Sequence, residues 1–276
     1  MTSAIKETDW CCVAAVNRPD ILAANLAASP ALIARPERLN IQRDPVSAAI
    51  AYNQGLDETR AEIVVFAHQD VYLPKGWDQM LMQAVGEIAA HDPAWAVLGL
   101  IGKTSCNRIC GRVWSTGLAR EVGDGTGLPA PAASIDELLI VLRRSSGLRF
   151  DPGLPSFHLY GTDIVQTALK AGYGAYIVDA PVIHNSRAVR SLQDGFAEAY
   201  AYLQKKLADR LPVPTLVARL DEDGRDLETA QGKLEANRWR RTFSRRYRLL
   251  RTDWRWFLRT PTARAIAARL EYERKD

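Results

Sequence analysis

Two continuous apolar runs near the start of the chain predict buried strands over Trp10–Val16 and Ile63–Ala67. Between them, residues 39–42 predict a short strand. Residues 47–55 have helical spacing, with Ser47 as the N-terminal cap and Gly55 at the end. Strands that alternate with helices over such short distances are typical of a parallel sheet. The pattern therefore predicts an α/β fold with a mostly parallel sheet flanked by helices.

The hydrophobic pattern continues in the same manner for most of the chain. Helices are predicted over 77–90 and 163–171, and strands over 95–101, 135–144 and 175–178, with glycine-rich loops and short strands between 101 and 131. From residue 191 onward the pattern is helical. We therefore predict a body over residues 1–190 and a helical, basic C-terminal extension over residues 191–276.

Polar residues follow directly after two of the predicted strands. Because ligands of parallel sheets bind beyond the carboxyl ends of the strands, these residues are candidates for a site. A carboxylate such as Asp70 at the mouth of a buried strand is a natural ligand for a hard divalent cation. The alternative is that Asp70 only ends the strand with a side-chain turn. The candidates are Asn17, Arg18 and Asp20 after the first strand, and His68, Gln69 and Asp70 after Ile63–Ala67.

Composition agrees with a globular chain. Of 276 residues, 47% are hydrophobic and 25% charged. The longest apolar runs are shorter than the roughly 20 residues that a spanning helix needs. The N-terminus also lacks the apolar core of a secretory signal. We therefore expect no transmembrane helix and a cytoplasmic location.

The positive charge lies in the C-terminal part. Residues 1–190 hold 17 Lys and Arg against 19 Asp and Glu, whereas residues 191–276 hold 19 against 13. Residues 238–259 contain nine arginines and one acid, interleaved with tryptophan, phenylalanine and tyrosine. This composition suits binding at an anionic membrane surface, on its inner face. Two alternatives stay open: binding of nucleic acid phosphates, and packing of the aromatic side chains on the body.

Four segments carry a family resemblance. Residues 47–74 read SAAIAYNQGLDETRAEIVVFAHQDVYLP, and they are accompanied by segments 13–19, 157–163 and 180–186. In order and spacing these segments resemble glycosyltransferase family 2 and its relatives of the GT-A fold. The resemblance covers roughly residues 10 to 187. It implies a Rossmann-like GT-A body and transfer of a sugar from a nucleotide-sugar donor.

The resemblance also implies roles for individual residues. Asp70 matches the final acid of the Asp-x-Asp element, which holds a metal on the donor diphosphate, and His184 matches the histidine that completes the metal site. The implied cofactor is Mn²⁺ or Mg²⁺, and imidazole favours manganese. His68 stands where the family usually has the first acid. The implied donor-binding set is Asn17, Arg18, Asp20, Asn53, His68, Gln69 and Asp70.

Transfer with inversion needs a general base for the acceptor hydroxyl. Asp163 is the first candidate, because it lies where the family carries an acidic pair, although Gly161 occupies one of the acidic positions. Its alternative role is that of a helix cap. Asp136 and Glu137, at the start of the predicted strand 135–144, are the other candidates for the base or for contacts with sugar hydroxyls.

The expected function is therefore metal-dependent, inverting sugar transfer of hexosyltransferase type in polysaccharide or glycoconjugate biosynthesis, to a glycan or lipid-linked acceptor. The alternative is a non-catalytic α/β protein that binds nucleic acid through the arginine- and tryptophan-rich tail. Carboxylates and a histidine at strand ends favour the first, since a scaffold does not need them. A nucleotidyltransferase is disfavoured because the N-terminus lacks a glycine-rich phosphate loop.

Overall fold

The computed structural model describes residues 10–118, 120–186, 192 and 195–243. Its strands are β1 Trp10–Val16, β2 Leu39–Arg43, β3 Ile63–Ala67, β4 Val71–Tyr72, β5 Trp95–Gly99, β6 Ile101–Lys103, β7 Ile109–Ser115, β8 Arg120–Asp124, β9 Ala130–Pro131, β10 Ser134–Ile135, β11 Leu139–Arg143, β12 Gly174–Ile177 and β13 Ile183–His184. Its helices are α1 Pro19–Ala24, α2 Pro30–Ala34, α3 Ala48–Glu58, α4 Trp77–His91, α5 Tyr160–Lys170, α6 Phe196–Lys206 and α7 Arg225–Phe243.

The main sheet has seven strands in the order β2-β1-β3-β11-β5-β12-β9. Strand β1 runs parallel to β2 and β3, and β12 runs parallel to β5. Strand β11 is antiparallel to β3 and β5, and β9 is antiparallel to β12. Five of the seven strands therefore share one direction, and the predicted α/β class with a mostly parallel, helix-flanked sheet is confirmed.

Helices cover both faces of the main sheet because successive strand residues point to opposite sides. One core holds Val13 of β1 together with residues of α3, α5 and α6. The other core holds Cys12 and Ala14 together with residues of α1 and α4. Helix α6 lies in the predicted C-terminal extension, yet it shares the first core with α5.

Gly55 lies within α3 and does not end it, which corrects the predicted helix end. A Cβ atom at Gly55 would lie 2.3 Å from Cγ1 of Val13. The glycine therefore allows α3 to pack closely on β1. The predicted cap is confirmed, since the side chain of Ser47 accepts a hydrogen bond from the backbone N–H of Ile50 at 3.3 Å.

A second sheet has the order β10-β6-β7-β13-β4, with β8 beside β7. Its two shortest strands, β4 and β13, pair antiparallel and place His184 opposite Val71. The backbone N–H of Asn185 also donates to the carbonyl of Asp70 at 2.9 Å. This pairing brings the segment after β3 against the segment that contains His184.

The predicted strand 135–144 is in fact two strands in different sheets, β10 and β11. The backbone N–H of Asp136 donates to Ile101 in the second sheet at 2.9 Å. The backbone N–H of Leu138 then donates to Oδ1 of Asp136, also at 2.9 Å. Asp136 and Glu137 therefore lie in a turn between the two sheets and not on a continuous strand.

The predicted basic surface at 238–259 lies outside the residues whose side chains the structure describes. Helix α7 is described to Phe243, its side chains to residue 236. Within the described part of the chain, every helix is too short or too polar to cross a bilayer.

Candidate metal and nucleotide site

Three side chains converge where the two sheets meet: His68, Asp70 and His184. Each offers one ligand atom, and these atoms all lie within 4.8 Å of one another. Nε2 of His184 lies 3.4 Å from Oδ1 of Asp70. His68 and Asp70 follow β3, and the β4–β13 pairing carries His184 to them. The predicted neighbours Asp70 and His184 are thus brought together, and His68 joins them.

The charges of this cluster are coupled. Burial opposes ionisation of Asp70, but the nearby His184 and His68 outweigh it and lower the pKa of Asp70 to about 2. Burial also opposes protonation of His184, yet the Asp70 carboxylate raises the pKa of that imidazole. For His68, burial is the largest influence and lowers its pKa. Asp70 is therefore anionic and His68 is neutral near pH 7, as metal ligands must be, whereas the raised pKa of His184 means that this imidazole has to release its proton when a metal binds.

The donor set fits a divalent cation. Two imidazoles and one carboxylate suit a first-row transition metal such as Zn²⁺ or Mn²⁺ better than Mg²⁺, because imidazole is a poor ligand for Mg²⁺. The 3.4 Å separation of His184 and Asp70 matches two ligands on a common ion with bonds of about 2.1 Å. Three protein ligands leave coordination positions for phosphate oxygens or water. The second imidazole, from His68, stands in place of the family's first acid.

A tyrosine supports His68 from behind. The hydroxyl of Tyr160 lies 2.8 Å from Nε2 of His68 and donates to the carbonyl of Glu137 at 3.1 Å. The hydroxyl of Tyr52 lies 3.5 Å from that of Tyr160. Both tyrosines are buried. Partners of this kind fix the orientation and tautomer of metal-bound histidines.

A cavity of about 350 Å³ opens beside His68 and Asp70. At its edge the amide of Gln69 donates to Oδ1 of Asn17 at 2.7 Å and accepts from the backbone N–H of Arg18 at 3.0 Å. These bonds tie the end of β1 to the end of β3. The cavity is lined by Ala15, Val16, Asn17, Pro45, Tyr52, His68, Gln69, Asp70, Phe157, His158 and Tyr160. We refer to it as the donor cavity, after the predicted donor-binding residues that line it.

Three residues of the predicted donor-binding set do not line this cavity. The side chains of Arg18 and Asp20 form an exposed ion pair at 2.7 Å. The amide of Asn53 donates to the carbonyl of Phe150 at 2.8 Å and accepts from its N–H at 3.0 Å. Asn53 therefore fixes the backbone at Phe150, and its amide is directed to that backbone and does not line the cavity.

The first candidate base, Asp163, also lies away from the cluster. Helix α5 begins at Tyr160, so Asp163 is within the first turn and is not the cap. Its side chain is 2% exposed and lies 2.7 Å from Nζ of Lys206. The family's second acid has no place here, because a Cβ atom at Gly161 would lie 2.6 Å from the carbonyl oxygen of Ile135.

Asp136 and Glu137 have different surroundings. Asp136 lines a second cavity of about 450 Å³ together with His184. The Glu137 carboxyl accepts hydrogen bonds from backbone N–H groups at the start of α5, including those of Leu159 and Gly161. Burial and the charge of Asp136 nevertheless raise the pKa of Glu137 to about 8. Of the three predicted acids, Asp136 is the one that faces a cavity next to the cluster.

Sequence reasoning missed four aromatic residues of the site: Tyr52, Phe157, His158 and Tyr160. All four lie inside the segments that carry the family resemblance. Their contribution depends on the approach of α3 and α5 to the end of β3, which no local pattern reveals.

No family model matches the chain. A curated protein from Fuscovulum blasticum, described as ATP synthase subunits region ORF 6, is 28% identical over 152 residues, which are 50% of this chain and 57% of that protein. The chain thus spans little more than half the length of that relative.

The fold is similar to those of several glycosyltransferases. A mannosyltransferase from Pyrobaculum calidifontis, solved with GDP-Man and Mn²⁺, is 14% identical, with 90% of this chain and 87% of that chain covered and a TM-score of 0.43. GalNAc-T7, solved with UDP, GalNAc and Mn²⁺, is 11% identical, with 82% and 54% covered and a TM-score of 0.42. S. aureus TarS 1-349 is 11% identical, with 86% and 73% covered and a TM-score of 0.42. All three TM-scores are below 0.5, and the function therefore rests on the side chains of this chain itself.

Proposed function

We propose that this protein is a metal-dependent glycosyltransferase that moves a sugar, with inversion, from a nucleotide-diphosphate sugar to an acceptor hydroxyl, in polysaccharide or glycoconjugate biosynthesis. One observation carries the proposal: the cluster of His68, Asp70 and His184 stands between two cavities. His68 and Asp70 line the donor cavity, and His184 lines the cavity that contains Asp136. Such a position suits a centre that receives a donor from one side and an acceptor from the other.

We assign binding of the nucleotide-sugar donor to the donor cavity. Its volume of about 350 Å³ lies within the range of small-molecule sites. Its aromatic walls, from Tyr52, Phe157 and His158, can pack against a nucleoside, and the tied amides of Asn17 and Gln69 can bind its polar edge. The donor diphosphate is then directed toward Asp70.

The three proposed metal ligands and Asp136 have different roles in the proposed reaction. A divalent cation, when held by His68, Asp70 and His184, stabilises the negative charge of the departing nucleoside diphosphate. Asp136 takes the proton from the acceptor hydroxyl as its oxygen attacks the anomeric carbon. Oδ1 of Asp136 is fixed by the backbone N–H of Leu138, which orients the carboxylate. Attack from the side of Asp136 on a donor held at the opposite side gives inversion.

Donor binding tests the proposal. Thermal unfolding of the full chain should be measured with UDP-, GDP- and dTDP-sugars, with and without Mn²⁺. We expect one class of nucleotide sugar to stabilise the protein only with the metal, by about 2.7 kcal/mol when the ligand reaches 100 times its Kd. Asp70→Asn keeps the shape of the side chain and removes its charge, so the metal-dependent stabilisation should disappear.

Asp57→Asn is the matched control. Asp57 is an exposed carboxylate on α3 that pairs with Arg149 at 2.7 Å, away from both cavities. This variant should respond to metal and donor like the wild type. If no nucleotide sugar shifts the unfolding curve of the wild type, or if Asp70→Asn responds fully, the proposed function is wrong.

A further inference from the structure

The second cavity, which we call the aliphatic groove, differs from the donor cavity in the chemistry of its walls. It has a volume of about 450 Å³ and begins at Asp136 and His184. Side chains of the second sheet and of the turn form part of its wall, and three residues of α7 line it as well: Ala230, Lys233 and Leu234. The aliphatic residues that matter most are Ile101, Ile109, Val113, Leu138, Val217 and Leu234.

Two of these residues are unusually exposed. Ile109 is 47% exposed and Val217 is 49% exposed, although both are large aliphatic side chains. Both line the aliphatic groove, so the two exposed side chains belong to one apolar surface. An apolar surface beside a reactive centre marks a ligand-binding site more often than a chance exposure.

The walls do not suit a carbohydrate. Sugar hydroxyls lose water when they are buried and need hydrogen-bond partners in return. Outside the reactive end, where Asp136 and His184 lie, ten of the thirteen described residues that line the groove are aliphatic, and the three polar ones are Ser115, Ser186 and Lys233. The groove therefore matches a hydrocarbon chain better than a second sugar ring.

We propose that the acceptor is a hydroxyl-bearing molecule with an aliphatic chain, bound with its hydroxyl at Asp136 and its chain in the aliphatic groove. This inference rests on the proposed function, because it assigns the acceptor of the same reaction. The hydroxyl oxygen forms the new bond to the anomeric carbon, its proton passes to Asp136, and the nucleoside diphosphate leaves with the bonding electron pair. The atoms balance without a further reactant.

The test is binding of straight-chain primary alcohols to the full chain in the presence of Mn²⁺. A dansyl-labelled long-chain alcohol serves as the fluorescent probe, and unlabelled alcohols of increasing length displace it. Until the groove is filled, each added methylene should tighten binding about fourfold, which corresponds to ~0.8 kcal/mol. Oligosaccharides should not displace the probe.

Val217→Asp and Ile109→Asp place a charge on the groove wall at exposed positions, where folding tolerates it. Each should weaken probe binding at least about tenfold, because the chain would then contact a carboxylate. Ile33→Asp is the matched control, since Ile33 is 64% exposed on α2 and does not line the groove. Donor-dependent stabilisation should be unchanged in all three variants.

The failures of the two proposals are distinguishable. If the donor binds with metal but the alcohols show no length dependence, or if Val217→Asp binds the probe like the wild type, the acceptor inference alone is wrong. If oligosaccharides displace the probe, or if the wild type forms a dimer that Val217→Asp abolishes, the groove belongs to another occupant. If no donor stabilises the wild type, the proposed function fails, and the acceptor role fails with it.

Discussion

The hydroxyl of Tyr160 lies 2.8 Å from Nε2 of His68 and donates its own hydrogen to the carbonyl of Glu137. We assign the hydroxyl hydrogen to that carbonyl, and the hydroxyl oxygen then accepts from Nε2–H of His68. The neutral imidazole then carries its lone pair on Nδ1, the nitrogen that remains for a metal. In the proposed metal site, Tyr160 is thus a positioning residue that would select the metal-binding tautomer of His68.

Tyr160→Phe should therefore weaken Mn²⁺ binding about 10- to 100-fold, the usual effect of removing such a partner. Isothermal titration of the full chain with Mn²⁺ measures this directly. Tyr176→Phe is the control, because Tyr176 donates to Asp92 at 2.9 Å far from the cluster. An unchanged Mn²⁺ affinity in folded Tyr160→Phe would contradict the assigned tautomer.

Asp136→Asn should separate donor binding from chemistry. The variant keeps the side-chain oxygen that accepts from Leu138, so the turn between the sheets should persist. It cannot take a proton. We expect normal metal-dependent stabilisation by the donor, but a loss of about 10²- to 10⁴-fold in the release of nucleoside diphosphate with water as the acceptor. Release at the wild-type rate would exclude Asp136 as the base.

The sequence predicted those parts of the fold that depend on local patterns. Strands Trp10–Val16 and Ile63–Ala67 have the predicted bounds, because each is a continuous apolar run closed by polar residues. The cap at Ser47 also follows from a local hydrogen bond. Parallel strands ending in polar residues made Asp70 a candidate ligand, and the family resemblance made it the leading one.

The parts that depend on tertiary contacts were not predictable in this way. The pairing of β4 with β13 involves two residues in each strand, too few to show a period. The break at Asp136 arises from a bond to Ile101 in another sheet. The resemblance implied a metal-binding role for His184 and only a donor-binding role for His68, because the clustering of His68 with Asp70 and His184 depends on three segments that are distant in sequence.

Glu137 provides a test of the electrostatics of the turn. Its pKa in the folded state, about 8, exceeds the ordinary glutamate value of 4.5, so the folded protein holds a proton that the unfolded chain releases. The stability that protonated Glu137 contributes is complete below pH 4.5 and is lost as the pH rises through about 8. Gln cannot ionise and keeps the shape of the protonated acid.

Glu137→Gln should therefore gain stability relative to the wild type as the pH rises from about 5 to about 9. Urea unfolding at both pH values gives the difference in the free energy of unfolding. A difference that does not change with pH would show that Glu137 is ionised in the folded protein near neutrality.

Lys206, the last residue of α6, contacts two carboxylates at the same time. Its Nζ lies 2.6 Å from Asp151 and 2.7 Å from Asp163. Asp163 is 2% exposed, and burial raises its pKa even though Lys206 opposes that shift. Removing the ammonium group would leave a buried charge without its partner, which is among the costliest single changes.

Lys206→Met should lower the free energy of unfolding at neutral pH by about 3 kcal/mol, the low end of the range for buried pairs, because Lys206 is 30% exposed. A carboxyl with a raised folded pKa contributes its stability at low pH and loses it as the pH rises, so the deficit should shrink as the pH falls toward 3.8. Adding Asp163→Asn should recover most of the loss at neutral pH, whereas Lys205→Met, at the exposed neighbouring position, should cost little. Urea unfolding of the four proteins near pH 7 and near pH 5 measures these differences in the free energy of unfolding. A deficit that is equal at both pH values and remains after Asp163→Asn would show that Lys206 stabilises α6 through its methylene chain and not through Asp163.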